Sequence, residues 1–159
     1  MTRRIDYARV ARGAVQAMQA MQHYSRDSGL EHSLLELVKL RASQINGCAY
    51  CLDMHSKDAR AEGETEQRIY VLSAWREAPF YTPRERAALA WTEAVTLIAD
   101  GVPDELYESA RAQFDEKELV DLTMAIITIN GWNRLSIAFG SEVGSYRPQQ
   151  AEATAARAS

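Results

Sequence analysis

The stretch CAYCLDMH, residues 48 to 55, holds both cysteines of the chain and one of its three histidines. If it is helical, its geometry follows from a turn of about 100° per residue. Cys48 to Cys51 is then about 300° and Cys51 to His55 about 400°, so the three side chains share one face. Cys51 and His55 form an i,i+4 pair, close enough for the imidazole to take the thiol proton. The thiolate is the reactive form of cysteine, and a free thiol supplies only a few per cent of it at neutral pH. A nucleophile, a base one turn on and a second sulfur one turn back are the parts of a thiol–disulfide cycle. Glu36, on the preceding predicted helix, adds a carboxylate among apolar neighbours. In that setting it needs a partner, and it can orient His55 or share its proton.

Two physical arguments bear on which sulfur attacks. Cys48 lies at the start of a helix, where the dipole and free N–H groups favour thiolate. Cys51 lies nearer His55 and is expected to be the deeper of the two. The base argument favours Cys51 as the attacking thiolate. The exposure argument favours Cys48 as the sulfur that resolves it and meets an outside reductant. We prefer that assignment.

Other readings of the same residues compete. Two cysteines on a helix can serve as small apolar packing. Two thiolates, an imidazole and the Glu36 carboxylate also make four ligands for zinc, although structural zinc sites usually draw ligands from two separated knuckles. Haem attachment needs His directly after the second Cys, where this chain has Leu52. A thioredoxin-like site expects a βαβ context, which the sequence does not offer.

The elements that must position these residues read almost entirely as helix. Residues 6 to 27 carry Tyr7, Val10, Ala14, Ala17, Met18 and Met21 at helical spacing, and Ser28-Gly29 ends the run. A second helix to Ile45 has a wide apolar face (Leu34, Leu35, Leu37, Val38, Leu40), and Asn46-Gly47 stops it. The third runs from about Cys48 to Ala61. Thr65 caps a fourth that continues until Pro79. Thr82-Pro83-Arg84-Glu85 is a capping box with Pro at the first helical position, and Asp115 with Glu118 is another box-like start. Between them lie a fifth helix ending at Asp100-Gly101 and a short sixth from Pro103 to about Phe114. The last helix runs through Leu122, Ile126, Trp132 and Phe139. These readings give one all-α domain over residues 1–145 and a polar, Ala-rich tail over residues 146–159, expected to be loose. No stretch shows the period-two alternation of strands. Trp75, Trp91 and Trp132 read as core or interface anchors. His23 and His32 read as surface or cap positions.

At 159 residues the chain has the size of one domain with a proper core. Its net charge of −4 argues against a general nucleic-acid or membrane-surface binder. No apolar segment follows Arg3 and Arg4, so no signal peptide is expected, and no apolar stretch is long enough to span a bilayer. The expected location is the cytoplasm, where a cysteine pair is more often catalytic or metal-binding than a structural staple.

Glu36, eleven residues, Cys48-x-x-Cys51, three residues and His55 together resemble the signature of the AhpD-like alkylhydroperoxidases of the carboxymuconolactone decarboxylase superfamily. The wider segment ELVKLRASQINGCAYCLDMHSKDAR is similar to that family's core, and NGWNRLSIAF (130 to 139) to a stretch common in its shorter members. The resemblance covers roughly residues 20 to 140. It implies an AhpD-like bundle of about six to seven helices and a homo-oligomer, trimer or hexamer. It also implies reduction of small hydroperoxides by the cysteine pair, with electrons from a dithiol such as a lipoyl-bearing protein. Glu36, Cys51 and His55 take the proton-relay and peroxidatic roles and Cys48 the resolving role, with no metal or organic cofactor. One departure stands out: the best-known peroxidases of the family carry a second His between the cysteines, where this chain has Tyr50. Family decarboxylases lack the cysteine pair. The alternatives kept open are a helical oligomer that holds a metal ion with Cys48, Cys51, His55 and Glu36, and a decarboxylase-type enzyme of the same superfamily.

Overall fold

A computed structural model describes residues 3–148. The order of elements is α1 (Tyr7–Val10), α2 (Arg12–Arg26), α3 (His32–Asn46), α4 (Ala49–Ala61), α5 (Glu66–Tyr70), α6 (Pro83–Thr96), α7 (Asp104–Arg111) and α8 (Glu116–Phe139). Single 3₁₀ turns follow α5 and α6, at Leu72–Ala74 and Ile98–Asp100. No strand occurs among the described residues.

The all-α expectation holds, with eight helices among the described residues in place of six or seven. The extra one arises because the first predicted helix breaks at Ala11 (φ −129°, ψ 54°). Asp6 caps the single turn of α1 by accepting from the Arg9 N–H. That turn is pinned elsewhere: the Arg4 N–H donates to the Phe139 carbonyl at 2.9 Å, and the Tyr7 ring leans on Phe139 at 5.8 Å. Held to the end of α8, α1 cannot stay collinear with α2.

The fourth predicted helix also stops early, at Tyr70. The Arg86 guanidinium takes over the carbonyls beyond it, donating to Arg76 (3.1 Å), Tyr81 (3.2 Å) and Ala78. A cation from the first turn of α6 thus supplies the donors that helical N–H groups would otherwise provide. The caps read from sequence are present. Thr82 with Glu85 and Asp115 with Glu118 form complete capping boxes, and the Thr65 hydroxyl accepts from the Arg68 N–H.

Helix α3 is the centre of the bundle. Leu34, Leu35 and Val38 pack with Ala88 and Trp91 of α6 and with Leu122 and Ile126 of α8. Leu37 and Leu40 pack on its other side with Ala59 of α4, Leu72 and Leu89. A helix apolar on nearly every side belongs inside a bundle, and each fully buried leucine contributes about 2 kcal/mol of transfer free energy. The core therefore encloses α3 from several directions, and a carboxylate on it is held without freedom to swing into bulk water.

Candidate redox site

The site begins at a turn. Gly47 adopts φ 69° and ends α3, with its own N–H on the Gln44 carbonyl and the Cys48 N–H on that of Ser43. A side chain is strained at such a φ, so glycine suits this C-terminal stop. The chain reverses within two residues and α4 starts at once, with Cys48 as its N-cap: the Cys48 sulfur accepts from the Cys51 N–H at 3.3 Å. Serine or threonine usually fills this position. Here a sulfur sits where the helix offers its free N–H groups.

Cys48 and Cys51 are joined as a disulfide, with Cα atoms 5.4 Å apart. Both are only 1 % exposed. The expectation that Cys48 is the more exposed sulfur is therefore corrected. The N-cap position faces Ala42 of α3 and Ile129 of α8, which close over the pair together with Tyr50 and Trp132. The two sulfurs differ in another respect. Cys51 lines a cleft of about 250 Å³ with His55, Tyr7, Tyr50 and Trp132. Access from outside thus leads to Cys51.

His55 and Glu36 meet as expected. The imidazole Nδ1 lies 3.0 Å from Glu36 Oε2, and Lys39 Nζ donates to Oε1 at 2.6 Å, so each carboxylate oxygen has a partner. Burial pushes the Glu36 carboxyl up. The His55 hydrogen bond and charge, with those of Lys39, outweigh it and hold the group down at about 2. An ionised Glu36 can only accept, so Nδ1–H is the donor of this bond. His55 also borders a second cleft, of about 640 Å³, with Glu36, Lys39, Asp58 and Tyr146. The imidazole thus stands between the sulfur and a separate opening.

Several contributors were not found by sequence reasoning. Asp58, one turn beyond His55, offers a carboxylate oxygen to a group with Glu36 and His55 whose candidate ligand atoms lie within 4.8 Å of one another. Burial raises its carboxyl, and a hydrogen bond from Tyr146 works against that rise. This convergent group does not include the two sulfurs, which pair with each other. Tyr146 donates to Asp58 at 2.7 Å, Lys57 donates to the Tyr146 carbonyl at 3.2 Å, and the Gly144 N–H reaches Asp53 at 3.1 Å. The start of the predicted loose tail is thus docked on α4, while residues 149–159 lie outside the described residues. Burial and the Asp58 contact raise the Tyr146 hydroxyl. Burial also raises that of Tyr50. His23 is a surface residue, as expected, and it lines both clefts.

Behind the turn, Asn46 donates to Asn130 (2.9 Å) and Asn133 (2.8 Å), and Asn133 donates to Ser43 (3.0 Å). These amides sit in mid-helix on α8. They tie the last turn of α3, immediately before the cysteines, to the helix that roofs them.

The sequence profile described as "Carboxymuconolactone decarboxylase family" matches residues 12–94. The chain is 49 % identical over 146 residues to the uncharacterized protein YdfG of Bacillus subtilis (strain 168), covering 91 % of this chain and 99 % of that one. It is 30 % identical over 114 residues to the uncharacterized protein YnjA of Escherichia coli (strain K12), covering 72 % of this chain and 60 % of that one. A crystal structure from Agrobacterium tumefaciens, described as a protein of unknown function and candidate antioxidant defence protein AhpD, superposes with a TM-score of 0.88 at 48 % identity. That match covers 91 % of this chain and all of that one. The debrominase Bmp8 shares the fold, with a TM-score of 0.73 at 20 % identity over 81 % of this chain and 70 % of that one.

Proposed function

We propose that this chain, which belongs to the carboxymuconolactone decarboxylase family, is a cysteine-based peroxidase. The observation that carries this reading is the pairing of two arrangements in one place. A buried Cys48–Cys51 pair stands at disulfide distance, and its cleft-facing sulfur shares that cleft with an imidazole held by an ionised carboxylate.

In the proposed cycle His55 takes the Cys51 thiol proton, and Glu36 stabilises the imidazolium that results. The Cys51 thiolate attacks the outer oxygen of a hydroperoxide. The S–O bond forms as the O–O bond breaks, leaving a sulfenic acid and an alkoxide, and His55 returns the proton to the alkoxide to give an alcohol. The Cys48 thiol then condenses with the sulfenic acid, releasing water and forming the disulfide. An external dithiol, such as a lipoyl-bearing protein, reduces that disulfide by exchange. The burial of both sulfurs favours a slim reductant entering the Cys51 cleft over one that docks on Cys48. We place the protein in the cytoplasm as a homo-oligomer. Among the described residues no helix is long and apolar enough to cross a membrane.

The test is peroxide consumption by the reduced protein against a panel of dithiol donors, with each cysteine replaced in turn. Cys51→Ser is expected to abolish turnover. Cys48→Ser is expected to stop after one equivalent, with a sulfenic acid trapped at Cys51 and detectable by mass after dimedone addition. Loss of all peroxide reactivity in Cys48→Ser would reverse the two sulfur roles. An inert wild-type protein under every donor would remove the peroxidase reading itself.

A further inference from the structure

The chain has three tryptophans, and their indole N–H groups differ. That of Trp75 donates to Glu93 at 2.8 Å and that of Trp91 to Thr123 at 2.9 Å. The Nε1 of Trp132 is buried with no partner among the described residues. A buried indole N–H normally finds an acceptor, and leaving one unmade costs about 1–3 kcal/mol. An orphan donor of this kind calls for an explanation in the function of the site.

Its position supplies one. Trp132 packs against the cluster of Ala42, Cys48, Cys51 and Ile129, and it lines the cleft that Cys51 and His55 share. The nitrogen is closed off within this single chain. A second copy packing on the outside therefore does not reach it, and the acceptors to weigh are the groups of the site that surround it. Among the groups around it, the two sulfurs are the ones whose accepting power changes with redox state. In the disulfide they are neutral, weak acceptors. Two electrons and one proton convert the disulfide into a thiolate and a thiol, and a thiolate is a charged acceptor.

We propose that the indole N–H of Trp132 is the hydrogen-bond donor that holds the Cys51 thiolate in the reduced protein. The donor idles in the oxidised state and is taken up when the S–S bond opens. This rests on the reading of Cys48 and Cys51 as a redox pair. Other titratable and charged groups line the same space: Tyr7 from α1, His23 and Arg26 from α2, Lys39 from α3, and Tyr50 and His55 from α4, with Glu36 bonded to His55 behind it. Each of these can change its charge or carries one, whereas the Trp132 donor stays neutral and constant with pH. It therefore shifts the thiol titration without adding a step of its own.

Two measurements test this on the full chain. The first is the ¹⁵N–¹H spectrum of the indole groups before and after reduction with dithiothreitol. The Trp132 signal is expected to move downfield on reduction, while those of Trp75 and Trp91, already paired, stay in place. The second is Trp132→Phe, which keeps an aromatic ring and removes the N–H. Its reactive thiol, followed by thiolate absorbance against pH, is expected to titrate about one unit higher, a tenfold loss of thiolate below that range. The oxidised variant is expected to unfold at the same temperature as wild type or above it, since an unmatched polar group has gone. A Trp132 signal that does not move on reduction, or an unchanged thiol titration in Trp132→Phe, overturns the proposal. If dithiothreitol releases no pair of titratable thiols, the redox reading fails, and this inference with it. If thiols appear and cycle but neither measurement responds, this inference alone fails.

Discussion

At Glu36, burial and pairing act in opposite directions. The carboxyl is pushed up by its surroundings and pulled down further by His55 and Lys39, to about 2. Its folded value lies below the ordinary carboxylate value, so the associated stability is complete above that range and drains away as pH falls toward about 2. The difference is worth on the order of 3 kcal/mol. Glu36→Gln is therefore expected to flatten the loss of stability between about pH 4.5 and pH 2, measured as urea midpoints across that window. It is also expected to slow single-turnover thiol oxidation by peroxide roughly tenfold, because Gln does not stabilise an imidazolium. A variant with wild-type acid sensitivity would show that the carboxylate charge does not contribute to the fold. Helical spacing was enough to place Cys51 and His55 on one face, and its apolar setting marked Glu36 as a carboxylate in need of a partner. The burial of both sulfurs was not legible, because Ala42 and Ile129 approach from other helices, Ile129 from far along the chain.

Among the elements, the dipeptide Asn-Gly occurs twice with opposite outcomes. At Asn46-Gly47 it ends α3, since Gly47 takes positive φ and the Cys48 N–H closes on Ser43. At Asn130-Gly131 the helix continues. A Cβ at Gly131 would lie 2.7 Å from the Met18 methyl, so glycine there leaves room for that side chain of α2 to lie close against α8. The local pattern alone does not separate a stop from a close approach. The two amides on α8 are the second ambiguity: Asn130 and Asn133 read equally as capping residues or as polar groups near the site. They form the buried link from α8 to Asn46 and Ser43. Asn133→Ala would remove the donor to buried Ser43 and one of the two acceptors of Asn46, at an expected cost of about 2 kcal/mol. Chemical denaturation checks the size, and hydrogen exchange is expected to locate the loosening at the last turn of α3 and the first of α4. Caps that depend on residues three apart, such as Thr82 with Glu85, were legible. The break at Ala11 and the early end of α5 were not, because Arg4, Tyr7 and Arg86 impose them through partners far along the chain or across a fold not yet formed.

For the molecule as a whole, the outer face of α8 carries Val120 (59 % exposed) and Ile127 (45 % exposed), seven residues apart and so on one side of the helix. We propose this face as part of the contact surface of the homo-oligomer proposed above, a trimer or hexamer. Sedimentation equilibrium is expected to give one of those masses for the wild type and the monomer mass for Val120→Glu combined with Ile127→Glu. A wild-type monomer at micromolar concentration would remove the assembly. A further consequence follows from the depth of the cysteine pair, both members of which are sealed to 1 % exposure while a cleft reaches one of them. Alkylating labels will sort themselves by girth on this protein. Iodoacetamide can follow the cleft to Cys51, whereas a maleimide carrying a dye or a polymer chain meets Tyr7, Tyr50 and Trp132 first. A gel-shift or labelling survey that relies on bulky tags will then score the native reduced protein as though it were already oxidised, and only a comparison under denaturing conditions will report its true thiol count.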